Sequence, residues 1–165
     1  MNRMKIDTLL TKLEQARTDA EYADLRKLFA EGGYSLFSRF VELLRNELKQ
    51  FEEMQAEKVQ EMLRKGRLAV PEPGSISPAW SSIWEELERT AAYKMEALRA
   101  IAPEDRKGEW QIIIDNPFSH EPIICHPGLT FSEASYYYGY FRLNLQKNEF
   151  IRLQRIVSML TTSGS

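Results

Sequence analysis

Apolar residues recur at steps of three and four along most of this chain, the pattern of amphipathic helices. Ile6, Leu9, Leu10 and Leu13 share one face of a first helix, predicted over about residues 6–16. Thr18 and Glu21 have capping-box spacing, in which a hydroxyl accepts a free backbone N–H and a carboxylate accepts another. They open a second helix, about 19–30, with Tyr22, Leu25, Leu28 and Phe29 on its apolar side. Gly32-Gly33 supplies a left-handed stop. The next segment, about 34–65, has no Pro or Gly and reads as one long helix. Its first half carries a dense stripe, Phe37, Phe40, Val41, Leu44, Leu48 and Phe51; beyond that the stripe thins to Met54, Val59, Met62 and Leu63.

Pro71 and Pro73 mark a linker over about 66–77, since proline favours extended backbone in itself and its predecessor. Ser77-Pro78 then starts a helix, about 78–101, ended by Pro103. Trp80, Trp84, Leu87, Ala91, Lys94, Leu98 and Ile101 alternate in steps of four and three, a coiled-coil-like seam in which Lys94 is the exception. The period then changes. Trp110 to Asp115 and Ile123 to His126 are short, β-branched and bounded by turn residues, so a β-hairpin is predicted over about 109–126. Pro122 confines the second strand to an edge. Thr130 with Glu133 repeats the capping box and opens a last helix, about 131–160, with a weak point at Gln146-Lys147-Asn148 and a frayed tail over 161–165. The pattern thus predicts one mainly α domain: a bundle of about five helices with a β-hairpin inserted before the C-terminal helix. The core is expected at Phe37, Phe40, Leu44, Leu48, Trp84, Leu87, Leu98, Tyr137, Phe141 and Ile156.

Composition narrows this little. The chain has 165 residues, 43% hydrophobic and 28% charged, which is ordinary for a globular domain. Net charge is −2, with no basic block of the kind nucleic-acid binders carry. No apolar run approaches the roughly 18 residues of a membrane span, and Asp7 and Thr8 interrupt any leader-like stretch at the start. Cys125 is the only cysteine, so no internal disulfide forms. A cytoplasmic protein without membrane contact is the expectation.

Chemistry-bearing residues are sparse. His120, Glu121, Cys125 and His126 sit close together, but Cys125 has no second cysteine, and neighbours on a strand point to opposite faces. Both histidines lie outside the predicted helices, so the Glu-x-x-His pattern of di-iron bundles is missing. No metal, cofactor or catalytic residue is assigned. Tyr136, Tyr137, Tyr138, Tyr140 and Phe141 crowd around Gly139, which suits a central helix with a close neighbour. What remains is recognition. The thin stripe Met54, Val59, Met62 and Leu63, with Arg64, Lys65 and Arg67 at its basic end, is the expected contact surface for a protein partner of a non-enzymatic binding or regulatory module. The open hairpin edge makes a homodimer the second expectation. Two alternatives stand: a nucleic-acid surface formed if folding joins that basic end to Arg142, Lys147, Arg152 and Arg155, and a small-ligand pocket lined by the tyrosines.

Overall fold

The computed structural model describes residues 6–69, 80–116, 118 and 123–156, with the side chains of 80, 81 and 123–127 left aside. The chain is mainly α, with five helices and a small antiparallel sheet among the described residues. Helix α1 is Ile6–Gln15, α2 Asp19–Gln50, α3 Ala56–Ala69, α4 Trp80–Ala100 and α5 Phe131–Arg142; strands β1, β2 and β3 are Trp110–Asp115, Ile123–Leu129 and Phe150–Arg155. Both predicted capping boxes form. The hydroxyls of Thr18 and Thr130 accept the N–H of Glu21 and Glu133, and each carboxylate returns to the cap's backbone. Gly33, at φ 64° and ψ −156°, breaks α2 where the glycine pair predicted a stop.

The long 34–65 helix does not form as one piece. Phe51 is extended, at φ −71° and ψ 143°, and a 3-10 turn over Glu53–Gln55 follows before α3 begins. The side chain of Gln55 accepts the N–H of Glu52, which holds this corner. Helix α3 folds back onto α1, α2 and α4 and continues to Ala69, into the predicted linker. The rest of that linker, and the predicted frayed tail, lie outside the described residues.

Arg106 fastens the corner to the rest of the fold. Its Nε donates to the carbonyl of Ile101 at 2.9 Å, its Nη2 donates to the carbonyl of Leu98, and it pairs with Glu53. One arginine therefore serves the free carbonyls at the end of α4 and a carboxylate of the corner. The predicted hairpin is present as β1 and β2, and β3 adds to its other side, giving the order β2-β1-β3.

The last predicted helix ends early. It stops at Arg142, and Phe150–Arg155 is strand. Asn148, in the left-handed region at φ 75°, sits in the turn between them, at the weak point the sequence marked. Ile156, expected in the core, is 37% exposed just past β3. Phe37, Phe40, Leu44, Leu48, Trp84, Leu87 and Leu98 are buried as expected, while Tyr137 and Phe141 are half-buried against that core. Helix α5 packs on α4 and α2, and also on all three strands. This explains why its sequence is apolar around the whole circumference.

Candidate binding surface

The α3 stripe is not a surface. Val59, Met62 and Leu63 are buried in the core, because the corner at Phe51–Gln55 turns their face inward. Met54 alone of the stripe is exposed, at 97%, on the tip of that corner. Lys65 is buried as well: its Nζ donates to the carbonyl of Glu14 at 2.7 Å, at the end of α1. Arg64 pairs with Glu61 within α3, and Arg67 bonds Glu88 of α4 at 2.6 and 2.9 Å. Val59, Met62, Leu63 and Lys65 are thus parts of the packing, while Met54, Arg64 and Arg67 remain exposed.

The second basic group is spread over α5, the turn after it and β3. Arg142 bonds Glu96 at 2.8 Å, with its guanidinium 4.2 Å from the centre of the Tyr93 ring. Arg152 makes a two-armed bond to Asp115 at 2.5 and 3.0 Å, which raises its proton affinity above the usual arginine value. Lys147 lies exposed in the turn before β3, and Arg155 is exposed at the end of that strand. Of the tyrosines, Tyr136 is buried and Tyr137, Tyr138 and Tyr140 are half-buried.

His120 and Glu121 lie outside the described residues. Cys125 and His126 belong to β2, where the pairing with β1 shifts between Ile112↔His126 and Ile113↔Ile124. Cys125 is the extra backbone residue of that bulge. Among the described residues no group of three or more His, Cys, Asp or Glu side chains is placed to hold a metal ion. No described helix is long and apolar enough to cross a membrane.

A different surface emerges at β3. This strand is one edge of the sheet. Its pairing with β1 runs without a shift from Trp110↔Arg155 to Asp115↔Phe150. The N–H of Ile156 donates to the carbonyl of Glu109 at 2.8 Å, which sets the phase of the ladder. Alternate residues bond inward in an antiparallel pair, so Phe150, Arg152 and Gln154 bond toward β1. Ile151, Leu153 and Arg155 then turn their backbone N–H and C=O groups to the outer edge. Ile151 and Leu153 also lean on the core, in register with Ile114 and Ile112.

Beside that edge runs a groove of about 500 Å³ between β3, the end of α4 and α5. Ala97, Ala100, Ile101, Tyr138, Ile151 and Leu153 make its apolar lining, and Glu96 lines it too. On the opposite face of the strand, Phe150 is 66% exposed and Ile156 follows it at the far end. A strand edge whose outward backbone groups no described strand pairs with, an apolar groove on one side and exposed apolar side chains on the other can receive an extended segment. Sequence reasoning missed this surface because it read 150–155 as helix. The signal was available: Ile151-Arg152-Leu153-Gln154 alternates apolar and polar with period two. Comparison of the chain with family models, with curated proteins and with solved structures finds no match to any of them.

Proposed function

We propose that the protein is a non-enzymatic binding module of the cytoplasm that acts through protein–protein contacts, and that its contact surface is the outer edge of β3 with the adjoining groove. The observation that carries this reading is the edge itself. Ile151, Leu153 and Arg155 offer outward backbone groups beside an apolar groove of about 500 Å³. Main-chain bonds to such an edge supply affinity, and side-chain pockets beside it supply selectivity. The lone cysteine suits a reducing compartment.

The test is affinity purification from the native cell with the intact chain and with Phe150→Glu, each with and without nuclease. Phe150 is exposed, so the fold tolerates the change while the edge acquires a charge. Proteins retained by the intact chain and lost from Phe150→Glu, regardless of nuclease, support the reading. Retention that disappears with nuclease assigns the protein to nucleic acid instead, and retention indifferent to Phe150→Glu removes β3 from the interface.

A further inference from the structure

We infer that the β3 edge pairs with β3 of a second copy of this chain, about a two-fold axis passing midway between the two copies of Leu153. This rests on the reading of the edge as a protein-binding surface and names its occupant. The argument is one of register. Outward backbone groups belong to Ile151, Leu153 and Arg155, the residues that alternate with the inward-bonded Ile156. In an antiparallel two-fold pairing centred on Leu153, Leu153 meets itself, and Ile151 meets Arg155 of the second copy. Every outward residue of the strand then faces another outward residue, and both three-stranded sheets join into one.

The side chains agree with the same centre. Phe150 falls opposite Ile156 of the second copy, so the two exposed apolar residues at the ends of the strand cover each other, twice per dimer. Arg152 falls opposite Gln154 of the second copy. Arg155 of the second copy falls opposite Ile151, which lines a groove that also holds the carboxylate of Glu96. No like charges are set directly opposite, an arrangement that would weaken the pair. Moving the centre one residue back, to Arg152, sets that guanidinium against its own copy and takes Phe150 away from Ile156. Natural sheets blunt an exposed edge or pair it; here the sequence of the edge is complementary to itself, as a closed two-fold contact requires.

Mass measured by light scattering and sedimentation, on the full chain from low micromolar to submillimolar concentration, tests this. The expected result is a concentration-dependent rise from the 19.2 kDa of one chain to twice that mass. Gln154 supplies the register-specific arm. Gln154→Glu places a carboxylate opposite Arg152 of the second copy, at both symmetric positions, and tightens the dimer about fivefold at low salt; Gln154→Arg weakens it by about the same factor. Circular dichroism verifies that both variants keep the helical fold. A single-chain mass throughout overturns the inference, as does a dimer whose affinity ignores both changes or follows them with the opposite sign. Because these measurements use the purified chain alone, a monomer disproves self-pairing and leaves the capture experiment with Phe150→Glu to decide whether another protein takes the edge.

Discussion

Lys94 is the residue whose position most constrains its chemistry. It interrupts the apolar seam of α4, and it is fully buried. Its Nζ donates to the carbonyl of Leu48 at 2.7 Å and to the hydroxyl oxygen of Ser132 at 2.9 Å. The Ser132 hydroxyl lies 2.9 Å from the carbonyl of Lys49 and 3.2 Å from that of Phe51, so it donates onward to the end of α2. Lys94 therefore ties the last turn of α2 to the first turn of α5. A neutral amine has two N–H groups, enough for both bonds, and among the described residues the third proton of the ammonium finds only the Phe51 ring, 4.2 Å from Nζ to its centre. Burial lowers the pKa to about 7 against 10.5 for a free lysine, with Glu52 and Glu133 pulling partly the other way. The unfolded chain consequently binds a proton that the folded chain lacks between about pH 7 and pH 10.5, and stability rises with pH across that window. Below pH 7 both states hold the proton and the dependence on this group vanishes. Tyr136, raised to about 12 by burial, acts with opposite sign only above pH 10, where the unfolded phenol ionises. Urea unfolding from pH 7.5 to 9.5 is the measurement, with pH values chosen to lie inside the window. The native chain should gain stability with a slope approaching about 1.4 kcal/mol per pH unit, and Lys94→Met should lose that slope. An identical slope in the variant would show that Lys94 is not the group responsible.

At the scale of elements, two glycines set how closely helices approach. An added Cβ on Gly66 of α3 would lie 2.4 and 2.5 Å from two ring carbons of Trp84 on α4. That ring is fully buried, stacked on Phe40 at 6.0 Å, and its Nε1 donates to the carbonyl of Leu63 at 3.1 Å, so it has little room to yield. On Gly139 of α5, an added Cβ would stand 2.8 Å from the backbone oxygen of Thr90. Gly66→Ala gains roughly 1 kcal/mol of helix propensity but forces the overpacked ring or the helix to move, at about 1–3 kcal/mol. The expected outcome is a lower urea midpoint with an unchanged slope; a more stable variant would contradict the packing. Sequence reasoning found the close approach at Gly139 from the aromatic crowd around it, and missed the one at Gly66 because 66–77 reads as a linker.

The same contrast runs through the elements. Helix starts with Ser/Thr-x-x-Glu spacing and faces dense in Phe and Leu were legible, since local bonds and periodicity decide them. The corner at Phe51–Gln55 was not, because no Gly, Pro or short polar cap marks it; Gln55 reaching back to the Glu52 N–H holds it locally, and Arg106 and Ser132 hold it from far along the chain. Strand β3 was overrun by extending the helix before it. Six residues are too few to outvote a strong capping box upstream, although tertiary pairing with β1 decides their state. The candidate surface inherited both errors. Of the residues that read as a face in the sequence, Val59, Met62, Leu63 and Lys65 are core and Met54 is corner, and the edge that takes their place depends on β3.

On the scale of the whole molecule, the sheet explains which backbone groups the fold leaves open. Strand β1 is central, bonded on both sides, and one face of the sheet is closed by α5. Arg152 and Asp115 bridge β3 to β1 on the other face, where Ile113 is buried with Ile124 and Arg152 as its register neighbours. Among the described residues the inner ladder is therefore protected twice over, and no strand pairs with the outer edge of β3. Hydrogen exchange resolves this residue by residue, because an amide exchanges at a rate set by how often its bond opens. Amides of Ile112, Ile113 and Ile114 should be among the slowest, as should Arg152 and Gln154, whose N–H groups point to β1. Ile151, Leu153 and Arg155 should exchange fast in dilute protein although they lie between protected neighbours, so protection along β3 should alternate with period two. Raising the protein concentration should slow these three together and leave the inward amides unchanged, since self-pairing closes every outward bond at once. Uniform protection along β3 in dilute protein would mean that the edge is already covered within one chain. Fast exchange at all concentrations would leave the edge open to a partner other than its own copy.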